Sequence, residues 1–191
     1  METTSILLTG VGGQGTILIS KILATGLASM GYDVKMSEIH GMSQRGGTVN
    51  TQIKYGKKVY APNIGPGEAD IIVSFEKVET LRALPYLKKG GTIVSDEKEI
   101  YSMPVLTGDA EYPHNALELI EAAGCTLKRV SAAKIAAELG NSKVQNIVLL
   151  GALLKALKID SEIDWKEIIK NTVPAKLADL NLEAYARGAE L

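Results

Sequence analysis

The sequence predicts an α/β fold: a largely parallel sheet with flanking helices, a hairpin insertion and a C-terminal helical tail. Three observations carry that expectation. The apolar run Ser5 to Thr9 is too short for a helix and reads as a buried strand. It runs straight into Gly10-Val11-Gly12-Gly13-Gln14-Gly15, and Thr16 to Met30 then places Ile17, Ile19, Ile22, Leu23, Leu27 and Met30 at helical spacing. Strand, glycine turn and helix open a βαβ unit, and strands alternating with helices continue down the chain without a convincing boundary or repeat, so residues 1–191 read as one domain.

Each further element follows from its local pattern. Gly31 stands where a left-handed cap would close the first helix. Asp33 to Ser37 reads as the second strand, with Val34 and Met36 on one side. The stretch Glu38-Ile39-His40-Gly41-Met42-Ser43-Gln44-Arg45-Gly46-Gly47 has neither period and reads as a loop. Thr48 to Tyr55 alternates and is rich in β-branched residues; Gly56-Lys57-Lys58 should turn it into Val59-Tyr60 as a hairpin, placed as an insertion or at an edge. Ala69 to Ser74 is an apolar core strand, and Phe75 to Tyr86 includes a helix. Lys88 to Gly91 reads as a turn into the strand Thr92 to Ser95, and Val105-Leu106 as a brief strand in an irregular stretch. His114 to Ala123 is helical, Cys125 to Val130 is the last strand, and Ser131 should cap a helix over Ala132 to Leu139. Lys143 to Leu157 is a strongly apolar helix. Ile163 to Arg187 forms two more helices broken at Thr172-Val173-Pro174, with Asp164 and Glu167 as an approximate capping box.

Composition excludes several classes of function. A chain of 191 residues with 46% hydrophobic and 23% charged residues is neither disordered nor short of core; such a domain buries roughly 70% of its extended surface. The net charge of -1 and the lack of a basic run argue against nucleic acid and anionic membranes as partners. Cys125 is the only cysteine, which removes an internal disulfide and a cysteine-ligated iron-sulfur cluster from this chain and fits a reducing cytoplasm. No stretch has the length of a membrane span, and the start lacks the pattern of a signal peptide. A cytoplasmic location is the expectation.

The glycine turn is the first candidate site. Gly10, Gly12 and Gly15 fit the Rossmann-like G-x-G-x-x-G pattern, in which glycines permit a tight turn and the helix N-terminus favours an anion. Close helix–sheet packing fits the same pattern. Glu38 falls near the place where a dinucleotide site holds a ribose hydroxyl. The next loop carries His40, Gln44 and Arg45, whose guanidinium fork suits a carboxylate or phosphate as well as a structural ion pair. His114, after Pro113, reads as a cap or surface residue, and Cys125 as a small core residue. Asn141, Asn146 and Gly151 mark close helix approach or a buried amide network. Neither histidine has a spaced partner for zinc, and Thr16-Ile17 stand where a Walker A motif needs Lys and Ser or Thr. No residue emerges as catalytic and no metal site is expected.

Taken together, Thr9-Gly10-Val11-Gly12-Gly13-Gln14-Gly15, the stretch Ser37 to Gly47, and Gly140-Asn141 with Asn146 and Gly151 resemble the gamma subunits and gamma domains of the 2-oxoacid:ferredoxin oxidoreductases, most closely those of the indolepyruvate branch. The resemblance runs from Thr4 to Gly188. It implies an enzyme that converts a 2-oxoacid, here indolepyruvate or another aryl pyruvate, plus coenzyme A to an acyl-CoA, carbon dioxide and reduced ferredoxin. It also implies that thiamine diphosphate and the iron-sulfur clusters lie on a large alpha subunit, that ferredoxin is met through the complex, and that this chain binds no cofactor tightly by itself. The isolated chain would then be inactive and could form a homodimer. Gly10, Gly12, Gly13, Gln14, Gly15, Glu38, His40, Gln44 and Arg45 match the family's loops, and the first turn is expected to meet coenzyme A. Two other readings remain open on the residues alone: a self-contained NAD- or flavin-dependent oxidoreductase, and a noncatalytic ligand-binding or architectural module. An exposed apolar face on Val144 to Leu157 would point to a missing subunit.

Overall fold

The structure, a computed structural model, describes residues 3–40 and 47–191. Its frame is a six-stranded sheet in the order β2-β3-β1-β4-β5-β6, formed by β1 (Thr4–Val11), β2 (Asp33–His40), β3 (Thr48–Gly56), β4 (Ala69–Ser74), β5 (Leu87–Asp96) and β6 (Thr126–Val130). The apolar runs of β1 and β4 sit at the centre, paired in parallel from Ile6 opposite Ile71 to Thr9 opposite Ser74. β4, β5 and β6 continue the parallel pairing. Only β3 runs against its neighbours, with Ile6 opposite Ile53 on one side and Met36 opposite Ile53 on the other.

The expected hairpin therefore exists with a different partner. β3 pairs with β2, the strand that precedes it in the chain, while Val59 and Tyr60 form no strand. The backbone of that segment is taken by side chains instead, with Val59 N–H donating to Asp33 Oδ2 at 3.0 Å and Ile64 N–H to Gln52 Oε1 at 3.0 Å. Nor is β3 an edge: it is wedged between β1 and β2. Lys88 to Gly91, expected as a turn, forms the irregular start of β5, where the register against β4 shifts.

Helices cover both faces. On one side lie α1 (Thr16–Ser29), α5 (Ala132–Glu138), α6 (Gln145–Leu157), α7 (Trp165–Thr172) and α8 (Ala178–Ala189), packed over Ile6, Leu8, Ile53 and Val73. On the other lie α2 (Lys77–Ala83) and α4 (Ala116–Ala122), over Leu7, Ile72 and Ile93. α3 (Met103–Thr107) occupies the place where Val105-Leu106 was expected to be extended; Pro104 suits its first turn and Gly108, at φ 84°, ends it.

α6 is the buried axis of the larger layer, with every residue from Gln145 to Leu154 buried. It approaches α8 so closely that a Cβ on Gly188 would lie 2.0 Å from the Val148 carbonyl oxygen. The chain thus covers its own most apolar helix, and α6 offers no exposed face over that span. The exposed large apolar side chains are elsewhere, among them Ile17, Met36, Ile39 and Tyr60.

The caps show where local and tertiary forces divide. Asp164 accepts from Glu167 N–H at 3.1 Å, as its spacing predicts. Ser131 does not cap α5; its hydroxyl donates to Glu97 Oε2 at 2.6 Å, while Asp96 at the end of β5 accepts from Ala133 N–H at 2.9 Å. A buried carboxylate on the neighbouring strand has taken the position that the local sequence assigned to serine.

Candidate functional site

The glycine turn leaves the carboxyl end of β1, at the point where the chain's strand order reverses and open α/β sheets receive ligands. Gly15 ends the turn at φ 81°, and a Cβ there would lie 2.4 Å from Asn146 Nδ2, so both its backbone angle and its neighbour exclude other residues. Gln14 folds inward. Its Oε1 accepts from Val11 N–H at 2.7 Å and its Nε2 donates to the Phe75 carbonyl at 2.8 Å, tying the turn after β1 to the segment after β4. Gly10 lies beneath this brace; a Cβ on it would come within 2.8 Å of Gln14 Oε1. Of the expected site residues, Gly10 is thus a buried support and Gln14 spends its amide on the protein itself.

A second amide completes the brace. Gln145, at the start of α6, donates to the same Phe75 carbonyl at 3.0 Å and to Asp96 Oδ2 at 2.7 Å, and accepts from Lys98 Nζ at 3.2 Å. Asp96 is 1% exposed. Burial pushes its carboxyl up to about 6, against hydrogen bonds from the Ala133, Lys98 and Glu97 amides and Gln145 that favour the anion. Next to Gln145, Asn146 donates to the Gly15 carbonyl at 3.3 Å. The amides flagged around Asn141 and Asn146 are therefore structural in the sense expected, with Asn141 Oδ1 accepting from Lys143 N–H at 3.0 Å.

Two clefts flank the turn. One, of about 450 Å³, lies against the β2 side and is lined by Gly12, Gly13, Gly15, Thr16, Glu38 and His40 among others. Gly12 N–H donates to the Gly47 carbonyl at 2.9 Å, so the turn after β1 and the end of the hairpin loop are joined directly. The structure thereby brings Gly12, Gly13, Gly15, Glu38 and His40 together. Gln44 and Arg45 lie outside the described residues. The other cleft, of about 480 Å³, opens between the N-termini of α1 and α6 and includes Lys98 and Lys143. Sequence reasoning missed both lysines and Gln145. Lys98 meets Gln145 only through the fold, 47 positions away, and nothing local marks either residue.

On the opposite face, Glu76 caps α2, accepting from Glu79 N–H at 2.9 Å and Ile100 N–H at 3.2 Å as well as from the Tyr112 hydroxyl. This pins the irregular stretch beyond β5. His114 is exposed and contacts the Glu99 carboxylate at 3.0 Å, in keeping with a surface residue. Cys125 is partly buried against the smaller core. Among the described residues no group of three or more His, Cys, Asp or Glu could hold a metal ion, and no helix is long and apolar enough to cross a membrane.

A doubly wound sheet with a braced glycine turn, flanked by clefts at the carboxyl ends of its strands, defines a mostly parallel α/β domain. The particular family follows from comparison with known proteins. The chain belongs to the pyruvate ferredoxin/flavodoxin oxidoreductase family, which matches residues 5–191. It is 38% identical over 194 residues to indolepyruvate oxidoreductase subunit IorB of Thermococcus kodakarensis, covering 100% of this chain and 96% of the relative. The protein of the same name from Archaeoglobus fulgidus is 35% identical, covering 96% and 92%. Among solved structures, the keto/oxoacid ferredoxin oxidoreductase gamma subunit of Geobacter sulfurreducens has a TM-score of 0.72 at 22% identity, covering 98% of this chain and 96% of that one. The 2-oxoglutarate:ferredoxin oxidoreductase of Magnetococcus marinus has a TM-score of 0.77 at 21% identity, covering 100% of this chain and 31% of that longer one. These likenesses bear out the fold.

Proposed function

We propose that this chain is the subunit without thiamine diphosphate in a ferredoxin-dependent 2-oxoacid oxidoreductase that acts on indolepyruvate with coenzyme A, releasing indoleacetyl-CoA, carbon dioxide and reduced ferredoxin. The observation that carries the reading is the full-length match to relatives named indolepyruvate oxidoreductase subunit IorB. One cysteine cannot ligate an iron-sulfur cluster that needs four. In this reading thiamine diphosphate and the clusters belong to a large partner subunit, which also delivers electrons to ferredoxin. Thiamine diphosphate, bound there, supplies the electron sink for decarboxylation.

In this reading the present chain contributes a rigid loop platform. Gln14 and Gln145 hold the turn after β1, while Gly12, Gly13 and Gly15 leave its backbone open to coenzyme A. Glu38 and His40 border the same cleft. The alternative of a self-contained NAD or flavin enzyme fits the geometry less well. Gln14 spans the crevice between the ends of β1 and β4, where such a domain would seat its cofactor.

The test is purification of the tagged chain from its native cell extract, followed by assay of the eluate for coenzyme A-dependent reduction of ferredoxin or a viologen dye. A large thiamine- and iron-sulfur-containing partner should co-purify, with turnover higher on indolepyruvate than on pyruvate or 2-oxoglutarate. A chain that elutes alone and oxidises a substrate with a bound dinucleotide would overturn the proposal.

A further inference from the structure

Asp96 closes β5 directly behind the brace on the glycine turn, and the groups that meet its buried carboxylate are donors. Ala133 N–H reaches Oδ2 at 2.9 Å, and Gln145 Nε2 reaches the same oxygen at 2.7 Å. The backbone amides of Glu97 and Lys98 add to them. The charged neighbours are directed elsewhere. Glu97 accepts from the Ser131 hydroxyl at 2.6 Å, and Glu76, on the segment after β4, accepts from the Glu79 and Ile100 amides at the start of α2. Lys98 Nζ donates to Gln145 Oε1 at 3.2 Å, so α5 and α6 bring only the neutral Ala133 and Gln145 amides to the carboxylate.

This set of donors is complementary to an anion. A neutral carboxyl carries an O–H that needs an acceptor, and in a buried site water does not provide one. Three of the donors are main-chain amides held by the fold. Only the Gln145 side chain can turn over. As it stands, its Nε2 serves both Asp96 and the Phe75 carbonyl, at 2.7 and 3.0 Å, and its Oε1 faces the Lys98 ammonium. Turned over, Oε1 accepts from the Asp96 O–H, Nε2 leaves the Phe75 carbonyl, and the half-buried Lys98 swings toward solvent. The proton is within reach near neutrality because burial pushes the Asp96 carboxyl up to about 6.

We propose that Asp96 is a positioning residue for the glycine turn, and that its uptake of a proton turns the Gln145 amide and withdraws one of the two donors on the Phe75 carbonyl. Ionised Asp96 keeps both glutamines on that carbonyl, so the turn is fully braced above pH 6; below it, Gln14 alone remains. The consequence for coenzyme A rests on the function proposed above: its use by the assembled enzyme weakens as the pH falls through 6.

Hydrogen exchange of the Val11 to Gly15 amides in the full chain, followed by NMR at pH 7.5 and pH 5 and corrected for the intrinsic rate at each pH, tests the switch. Protection should fall about tenfold at pH 5, the usual order for the loss of one hydrogen bond. In Asp96→Asn, whose amide stands in for the neutral carboxyl, the lower protection should be present at both pH values. In Gln145→Leu the protection should be the same at both, while the Asp96 carboxyl carbon still titrates. Protection that does not change with pH in the wild type, or a pH response that survives in either variant, would overturn the proposal. In the assembled enzyme KM for coenzyme A should rise several-fold between pH 7.5 and pH 5 and lose that pH dependence in Asp96→Asn. If protection responds and KM does not, the switch stands and the coenzyme A contact assigned to the turn fails.

Discussion

The Phe75 carbonyl is the junction on which the glycine turn is held, and a double-mutant cycle on its two donors measures how. Gln14 and Gln145 both donate to it, at 2.8 and 3.0 Å, from α1's leading turn and from α6. Replacing Gln14 by Leu removes that bond and the 2.7 Å bond to Val11 N–H. Phe75 keeps its second donor, and the half-buried position of Gln14 lets water reach part of the gap, so the cost should be about 2 kcal/mol. Replacing Gln145 by Leu costs more, about 3 kcal/mol, because Asp96 Oδ2 also loses its side-chain partner in a site that water does not reach. Either single variant leaves the Phe75 carbonyl with one donor.

The double variant leaves it with none. The penalty for a buried unsatisfied carbonyl, about 1–2 kcal/mol, then appears only in the double variant, which should be less stable than the sum of the singles by that amount. Urea unfolding of the wild type, both single variants and the double variant gives the cycle. Additivity within about 0.4 kcal/mol would refute the shared-junction account and mean that the two amides support the turn independently.

Other consequences are simpler to state. Asp96 has a folded pKa of about 6, above the ordinary 3.8, so the folded state holds a proton there that the unfolded chain has released. Its contribution to stability is complete below about pH 4 and is lost as the pH rises through 6, amounting to at most about 3 kcal/mol. The stability difference between wild type and Asp96→Asn, followed by urea unfolding from pH 7 to pH 4, should shift in favour of the wild type as the pH falls; a pH-independent difference would show that Asp96 is not protonated by burial. Gly188→Ala would press a Cβ into the Val148 carbonyl at 2.0 Å and force α8 away from α6. A loss of about 3 kcal/mol, or roughly 6–12 °C in Tm, is expected by calorimetry, and an unchanged Tm would mean that the two helices are not in the contact described.

How much of this was legible in the sequence depends on the range over which the deciding force acts. β1, the glycine turn and α1 are set by neighbours within a few residues, and the structure places them where periodicity does. Gly31 closing α1 at φ 85° and Asp164 capping α7 are the same kind of success. Val59-Tyr60 failed as a strand because Asp33, 26 positions away, takes the Val59 amide. Ser131 failed as a cap because Asp96 reaches Ala133 from 37 positions away. In both cases the local preference was real and a buried or half-buried carboxylate from another strand outcompeted it.

The candidate site divides along the same line. Gly12, Gly13, Gly15, Glu38 and His40 were expected to lie together because glycine spacing and the end of a strand are local signals, and they border one cleft. The place of Gln14 in the motif is local, but its amide donates to the carbonyl of Phe75, 61 positions on, a partner that no local signal marks. Lys98, Lys143 and Asn146 come to line one cleft only when α6 is laid beside the glycine turn. A motif therefore locates the rigid half of such a site, the half that must be glycine to exist at all. The side chains that flank the turn are brought there by packing, and it is there that members of one fold can diverge in what they bind while keeping the turn unchanged.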